Sequence, residues 1–206
     1  MVYAAPTMTT APAAMLTVQK WWLARDRPPQ NAPAPLPPGA VLVRLARPQV
    51  AFHRYLFAAV GEEWLWWSRR AMSDAQVAAI LHDPRHSTHV LYLDGEPAGF
   101  FELDRRPAPD IELAFFGLMP HATGRGLGKL FLEQAVATAF AEAPRRLTVN
   151  TCDLDHPAAL ANYLARGFAI EREAVVEEPD PRARGLLPRT AGRHRPYSAA
   201  ATEQTR

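Results

Sequence analysis

The stretch MPHATGRGLGKLFLEQAV, Met119–Val136, places three glycines within five residues, directly before a helical pattern of apolar residues. Glycine lets the backbone approach a ligand closely and adopt dihedral angles that other residues avoid. Successive free N–H groups and the partial positive charge of a helix N-terminus favour an anion such as a phosphate. The stretch therefore predicts a phosphate-binding turn or, if nothing binds there, a strand-to-helix turn whose glycines serve tight packing.

The spacing of these glycines excludes two familiar nucleotide-binding loops. A P-loop requires GxxxxGK followed by Ser or Thr, but here Gly128-Lys129 is followed by Leu130, and Thr123 occupies the first glycine position. The dinucleotide fingerprint GxGxxG fails because its third glycine would fall on Lys129 or Phe131. A pyrophosphate-binding loop of another kind remains open.

The composition indicates an ordinary globular protein without a strongly charged partner. Hydrophobic residues make up 48% and charged residues 21% of the 206 residues, which suits one domain with irregular ends. The formal net charge of +2 is too small to indicate nucleic-acid or membrane partners. Because the chain contains neither a recognisable secretory signal nor a long apolar run, we expect a cytoplasmic protein.

The cysteine and histidine content does not predict a metal site. Cys152 is the single cysteine, which excludes an internal disulfide, and no Cys/His ligand spacing is present. His82, His86 and His89 lie near one another but at loose spacing. We therefore expect no metal.

The order of predicted elements is typical of a mixed α/β (α+β) domain with one sheet. The clearest signal is a hairpin, because apolar runs flank Asp94-Gly95, a dipeptide that favours two-residue turns. Ser73 is a plausible cap for one helix, while Pro48 and Gly61 suit the two ends of an earlier one. The full order is strand, helices, hairpin, strand, helix, strand, helix and strand.

Both ends of the chain are rich in proline. The segment Arg27–Ala40 holds six prolines and should be extended, which sets apart a possible edge strand at Met15–Ala24. The C-terminal residues combine proline, arginine and alanine without a period and are expected to be mostly disordered. The predicted division is an extension over 1–40, a domain over 41–176 and a tail over 177–206.

A second motif makes the glycine loop more specific. The segment NTCDLDHPAALANYLARGF, Asn150–Phe168, together with LMPHATGRGLGKLF, resembles the GCN5-related N-acetyltransferase (GNAT) superfamily. That family has Gln/Arg-x-x-Gly-x-Gly/Ala at the turn after a central strand, and further on an Asn, an alanine-rich turn and Tyr-x-x-x-Gly-Phe. Tyr163, Gly167 and Phe168 match the last motif. The resemblance implies a mixed, mostly antiparallel sheet with helices on both faces and a V-shaped splay between two central strands.

The resemblance also implies acetyl-CoA as the acetyl donor and assigns the residues that hold it. The backbone of Leu118 and Met119 would pair with the pantetheine arm, and His156 stands where many relatives have an asparagine that contacts the cofactor. Thr123 stands at the Gln/Arg position of the loop. The pyrophosphate would be held by the amides of Thr123, Gly124, Arg125, Gly126, Leu127, Gly128 and Lys129.

Two residues are candidates for proton transfer. The resemblance places Tyr163 where a phenol protonates the departing thiolate, although Tyr163 could instead be a core residue. Glu112 lies in an otherwise apolar strand, so its carboxylate must face a cleft or find a partner. Strict alternation would put Glu112 on one face with Ala114 and Phe116, and partial burial would raise its pKa to suit a base. The alternative for Glu112 is a structural ion pair with Arg105 or Arg106.

The sequence WLWW belongs to the predicted acceptor side of the site. A helix over Glu62–Met72 would put Trp64 and Trp67 on one face and turn Trp66 away. Aromatic walls would suit an apolar or cationic amine, and burial in the core is the alternative. Cys152 is expected to be a small buried residue, because direct transfer in the family needs no thiol.

The predicted function is an N-acetyltransferase, monomeric or homodimeric, that acts by direct attack of a primary amine of a small molecule or peptide. The alternative is a non-catalytic acyl-CoA-binding sensor on the same fold.

Overall fold

A computed structural model of the chain describes residues 14–198. In chain order these residues form β1 (Met15–Arg25), β2 (Ala40–Arg44), α1 (Val50–Gly61), α2 (Asp74–Leu81), β3 (His86–Leu93), β4 (Glu96–Asp104), β5 (Ile111–Leu118), α3 (Leu127–Phe140), β6 (Leu147–Cys152), α4 (Ala159–Ala165) and β7 (Ala169–Pro179). Among these residues, no helix has both the length and the apolar character needed to cross a membrane.

The strands form one sheet in the order β2-β3-β4-β5-β6-β1-β7. Neighbouring strands are antiparallel except for β5 and β6, which are parallel. These two strands pair only where they begin, at Ile111 with Leu147 and at Glu112 with Thr148. Beyond these two pairs they separate, which confirms the expected V-shaped splay in a mixed, mostly antiparallel sheet.

Helices cover both faces of the sheet, as expected. In β4 the side chain of Phe100 packs with Leu56 and Phe57 of α1, whereas Phe101 packs on the other face with Phe131 of α3, at 5.4 Å between ring centroids. Helix α4 contributes Tyr163 to the same cluster as α3. The sheet is thus sandwiched between two apolar layers.

Strand β1 is not at an edge of the sheet, contrary to the prediction. It pairs antiparallel with β6 on one side and with β7 on the other. The proline-rich residues 26–39 return the chain across five strand spacings, a distance of roughly 24 Å. In a fully extended polyproline conformation, at about 3.1 Å per residue, they would reach about 43 Å, so the segment is long enough. They cross over α3, where Gln134 donates to the Ala34 carbonyl at 2.9 Å and Leu36 joins the core.

A β-bulge changes which side chains of β5 share a face. The pairing with β4 shifts by one residue around Ala114, so the expected grouping of Glu112 with Phe116 is wrong. Instead, Leu113 and Phe116 face α3, whereas Phe115 faces α1, and Glu112 lies on the same side as Phe115. The physical cause is the extra residue, which reverses the alternation beyond it.

The segment after α1 is irregular, so the helix predicted over Glu62–Met72 is wrong. Leu65 has a φ of 57°, which a right-handed helix does not accommodate. The amides of Trp64 and Trp66 both donate to the Gly61 carbonyl, at 3.1 and 2.9 Å, in successive turns. Long-range contacts of the tryptophans, described below, determine this conformation.

The C-terminal tail is folded as far as the structure describes it, which corrects the prediction of disorder for residues 177–198. Arg182 and Asp180 form a buried ion pair at 2.8 Å, and the Arg182 guanidinium also donates to the Ala191 carbonyl at 3.0 Å. Leu187 and Ala191 are buried in a cluster with Leu65. Arginine in this segment therefore stabilises a packed structure, and residues 199–206 lie outside the described part.

Candidate active site

A cleft of about 760 Å³ opens where β5 and β6 diverge. It is continuous from the glycine loop at the start of α3 to the tryptophan-rich loop after α1, and its size is typical of small-molecule sites. Of the residues expected from the sequence, it is lined by Trp64, Trp67, Glu112, Leu118, Thr123, Gly124, Gly126, Gly128, Lys129, His156 and Tyr163. Met119, Arg125 and Leu127 were expected as well but do not line it.

The glycine loop presents unpaired amides to this cleft. Gly124 and Gly126 have φ values of +78° and +76°, and a Cβ at either position would meet no atom within 4 Å. Within residues 14–198, the amides from Gly124 to Lys129 donate no hydrogen bond. Helix α3 has no capping side chain and no acidic residue in its first turn. These free donors and the open space above them suit a phosphate group.

The side chains of the loop contribute unequally. Lys129 lines the cleft and Arg125 is exposed beside it, and neither forms an ion pair within the described residues. The Leu127 side chain is buried in the core, so only its backbone amide faces the loop. The Thr123 amide donates to the Pro120 carbonyl at 3.2 Å, so the free amides begin at Gly124, one residue later than expected.

The backbone of Met119 is already engaged, which corrects the expectation that it pairs with the pantetheine arm. Its amide donates to the Ala98 carbonyl at 2.8 Å, and its carbonyl accepts from the Ala122 amide at 3.0 Å. Because adjacent residues of a strand direct their backbone groups to opposite sides, Leu118 turns its amide and carbonyl toward the splay. Leu118 is therefore the residue at this end of β5 that fits the pairing.

Tyr163 is both a core residue and a lining residue. It is 6% exposed, and its ring lies 5.6 Å from that of Phe168 and 6.4 Å from that of Phe116, both edge-on. Its hydroxyl has no hydrogen-bond partner within residues 14–198. Burial, together with the nearby charge of Asp155, raises the pKa of Tyr163 well above its usual range. The phenol therefore stays protonated near neutral pH, so its hydroxyl can donate a hydrogen bond into the cleft.

Glu112 lies at the vertex of the splay with its carboxylate in the cleft. Asn150 on β6 donates to its Oε1 at 3.4 Å. The predicted alternative, an ion pair with an arginine, is not found within the described residues, because Arg106 binds Asp104 and Arg105 binds another carboxylate. Burial, then the charge of Asp104, raises the pKa of Glu112. This environment is suited to a base.

The tryptophan-rich loop meets the start of α4 across the cleft. The Trp64 ring lies edge-on to that of His156 at 5.2 Å. Trp66, predicted to turn away, also lines the cleft, and its Nε1 donates to Asp155 Oδ1 at 3.0 Å. Trp67 lines the same end. All three tryptophans of WLWW thus contribute to one wall.

Asp155 and Arg69 line the cleft but were missed as site residues. The Asp155 carboxylate accepts from Thr151 Oγ1 at 2.8 Å and from the Cys152 amide at 3.1 Å. Arg69 is 7% exposed and donates to Glu102 Oε2 at 3.1 Å. Glu102 lies within the mostly apolar stretch GFFELD. An acidic residue at such a position needs a cationic partner, and this was the signal that could have indicated Arg69.

Cys152 lies at the end of β6, partly buried. Burial, followed by the charge of Asp155, raises the pKa of its thiol to about 12. The thiolate is therefore scarce at neutral pH, although the side chain, expected to be buried, is only partly so and lines the cleft.

Known proteins resemble the chain in both sequence and structure. The model of the acetyltransferase (GNAT) family matches residues 51–168. The chain is 35% identical over 91 residues to the 5-NmdU N-acetyltransferase of Pseudomonas phage PaMx11, a match that covers 44% of this chain and 62% of that protein.

Two solved structures illustrate the likeness of the fold. A GCN5-related N-acetyltransferase from Sphaerobacter thermophilus superposes with a TM-score of 0.61 at 16% identity, over 78% of this chain and 51% of that one. The IAA acetyltransferase from Bacillus cereus ATCC 14579 superposes with a TM-score of 0.50 at 26% identity, over 65% of this chain and 79% of that one.

The chain spans about three fifths of the phage enzyme and about half of the Sphaerobacter protein. The family model nevertheless covers more than half of this chain, including the glycine loop, Glu112 and Tyr163. The chain therefore belongs to the acetyltransferase (GNAT) family.

Proposed function

We propose that the chain is an N-acetyltransferase that transfers an acetyl group from acetyl-CoA to a primary amine. The observation that carries this proposal is the continuity of the cleft. A single cavity joins the unpaired amides of the glycine loop to Glu112 and Tyr163. An anion-binding turn, a carboxylate with a raised pKa and a protonated phenol are the groups that acyl transfer to an amine requires.

Acetyl-CoA, the donor that the family generally uses, supplies an acetyl thioester and an anionic pyrophosphate. The free amides from Gly124 to Lys129 would bind the pyrophosphate, with the Lys129 ammonium adding charge. Leu118 would pair with the arm through its backbone. His156 Nδ1 already accepts from the Ala158 amide at 3.0 Å, so its Nε2 is the nitrogen left to contact the cofactor.

The chemistry assigned to this chain is proton transfer on both sides of the reacting carbonyl. Glu112, directly or through a water, removes the proton that an ammonium must lose before it attacks. The raised pKa of Glu112 lies closer to the pKa of the amine, so the carboxylate is a stronger base. Tyr163 donates its hydroxyl proton to the departing thiolate. Each role typically contributes about 10²- to 10⁴-fold in rate.

The acceptor is proposed to be an amine on a small molecule or peptide with an apolar or aromatic body. Trp64, Trp66 and Trp67 line the acceptor end of the cleft, and aromatic faces favour flat or cationic groups. The phage relative is named for N-acetylation of 5-NmdU, which makes that compound a reasonable member of an acceptor panel.

The test combines a thermal shift with a thiol-release assay. CoA and acetyl-CoA should raise the melting temperature, and acetyl-CoA with a panel of amines that includes 5-NmdU should release CoA thiol. Tyr163→Phe and Glu112→Gln should each lower turnover at least about 100-fold while preserving the CoA shift. Tyr55→Phe and Glu96→Gln make the same changes at exposed positions and should match the wild type.

Two results would contradict this assignment in different ways. CoA binding without turnover of any amine would favour the sensor function. Full turnover in both Tyr163→Phe and Glu112→Gln would leave the transferase in place but remove these two residues from its mechanism.

A further inference from the structure

Arg69 is a nearly buried cation at the acceptor end of the cleft. It follows the tryptophan-rich loop, is 7% exposed and lines the cavity. Its Nη2 donates to Glu102 Oε2 at 3.1 Å, whereas the nearest partner of Nη1 is the Met72 thioether at 4.0 Å. Its Nε has no partner within residues 14–198. Of five N–H donors, one therefore makes a strong hydrogen bond.

The carboxylate that holds Arg69 is shared. Glu102 is completely buried, and its Oε1 lies 2.6 Å from His53 Nε2, while His86 Nε2 lies 3.5 Å from its Oε2. Contacts with these two histidines hold the pKa of Glu102 well below its usual range despite burial. Glu102 therefore stays ionised and fixes the Arg69 guanidinium in place, but it does not satisfy the remaining donors.

Arg69 lies on the same face of the sheet as the proposed base. The bulge at Ala114 turns Glu112 and Phe115 to this face, and the Arg69 guanidinium carbon lies 5.1 Å from the centroid of the Phe115 ring. Arg69 is also close enough to Glu112 for its charge to affect the pKa of that carboxyl. An amine at Glu112 would therefore place the rest of its molecule beside Arg69.

The other cations at this end already have carboxylate partners. Arg106 binds Asp104 through both Nε and Nη2, and Lys20 pairs with Glu178. Arg69 is thus the lining cation of the acceptor end, within the described residues, whose guanidinium is held by a single strong hydrogen bond. Its Nε is sealed from solvent, so the donors left for a ligand are the remaining N–H groups of Nη1 and Nη2.

We propose that Arg69 binds an oxygen of the acceptor, and that the acceptor class is primary amines carrying a neutral carbonyl group close to the amine. This inference rests on the proposed transferase function. The local charges favour a neutral carbonyl over a carboxylate, because negative charges outnumber positive ones by five to three. The negative charges are those of Glu102, Asp104, Glu112, Asp155 and Glu178, and the positive ones are those of Lys20, Arg69 and Arg106. A cationic ammonium is attracted by this excess, and a second anion is repelled.

The test measures kcat/KM for three amines that share one aromatic body: phenylalaninamide with a neutral carbonyl, phenylalanine with a carboxylate, and phenethylamine with neither. In the wild type, phenylalaninamide should be preferred over phenethylamine by about 10- to 100-fold, the range of a hydrogen bond to a charged group. In Arg69→Met the ratio of kcat/KM for phenylalaninamide to kcat/KM for phenethylamine should fall to about 1. A ratio between substrates is insensitive to the fraction of folded enzyme, so it separates recognition from a structural role.

Two further variants complete the design. Arg69→Lys keeps a charge near Glu102, which protects the fold, and should lose most of the preference because an ammonium lacks the planar fork. The neighbouring Arg70 binds Glu62 outside the cleft, so Arg70→Met should keep the full preference. Where turnover is too slow, calorimetric binding of each amine to CoA-saturated protein gives the same ratio.

An unchanged preference in both Arg69 variants would overturn the inference while leaving the transferase intact. A preference for phenylalanine over phenylalaninamide would overturn the assignment of a neutral carbonyl. If CoA raised the melting temperature but no amine reacted or bound, the proposed function would fail, and the inference with it.

Discussion

Replacing Gly126 by alanine separates the structural role of the loop glycine from its binding role. Gly126 has a φ of +76° and caps α3, and a Cβ there would point into open space. Gly95, at the turn between β3 and β4, has a φ of +90° and equally open surroundings. The two glycines therefore pose the same backbone problem, but only Gly126 lies at the cleft. Gly95→Ala is the matched control.

The magnitudes follow from these geometries. An L-residue in the left-handed region costs roughly 1–2 kcal/mol, which for a domain of this size lowers the melting temperature by about 2–8 °C. This loss should be similar in Gly126→Ala and Gly95→Ala. Of the two methyl groups added, only that of Gly126→Ala would occupy space that a phosphate would need. Loss of one charge-assisted hydrogen bond, about 1.5–3 kcal/mol, corresponds to roughly 10- to 100-fold weaker CoA binding.

Calorimetric titration of CoA into both variants checks this prediction, with melting temperatures measured without ligand. The expected result is comparable destabilisation with weakened binding in Gly126→Ala alone. Wild-type CoA affinity in both variants would show that the pyrophosphate does not contact this part of the loop. Equal loss in both would show that affinity follows stability and not the site.

The remaining predictions concern proton transfer, the thiol and the tail. Tyr163→Phe should lower kcat by about 10²- to 10⁴-fold with an unchanged KM for acetyl-CoA, since the ring packing is retained; a change confined to KM would contradict the acid role. Activity that depends on ionised Glu112 should fall as the pH drops through its pKa. Because that pKa is raised, the acidic limb of kcat/KM should lie above the ordinary value of about 4.3 and disappear in Glu112→Gln. Cys152, with a pKa of about 12, should be alkylated at pH 7.5 far more slowly in the native protein than after unfolding, and rapid native labelling would contradict the raised pKa of this partly buried thiol. Arg182→Met should cost about 3–5 kcal/mol in urea unfolding, because it strands the buried Asp180 carboxylate; an unchanged midpoint would mean that the tail is not anchored.

Local signals predicted much of the fold. The Asp94-Gly95 hairpin is present, with φ values of 52° and 90° at the two turn residues, as its turn type requires. Ser73 caps α2 in a full capping box with Gln76. Both features depend on residues within four positions of each other, so one sequence contains all the information needed.

Features that depend on distant partners could not be predicted in this way. Strand β1 has ordinary strand composition, and nothing in its own residues indicates that it inserts between β6 and β7. The turn at Leu65, with its positive φ, is packed against Gly192, where even a Cβ would approach Leu65 Cδ2 to 2.6 Å. Leu65 and Gly192 are 127 positions apart in the sequence. The local pattern therefore carried no information about this contact, and a helix was predicted there.

The two halves of the site differ in the same respect. The proposed phosphate-binding half is a strand, a turn and a helix start in continuous sequence, so the spacing of Gly124, Gly126 and Gly128 could be interpreted directly. The acceptor half requires Arg69, Glu102 and Glu112 to meet on one face of the sheet, and a one-residue bulge decides whether they do. A bulge of this kind cannot be recognised from the sequence of an apolar strand.

The contacts that support the proposed acceptor wall also explain why family resemblance is uninformative about the acceptor. The family model ends at residue 168, yet Trp64 meets His194 at 5.4 Å, Glu63 accepts from the Arg193 amide at 3.0 Å, and Leu65 packs under the tail. The tryptophan-rich loop is therefore held in place by residues that the family model does not cover. Relatives can share the cofactor half of the cleft while differing in the shape of this wall. Acceptor specificity should accordingly follow the loop and the tail together, and grafting the loop without residues 180–198 should not transfer it.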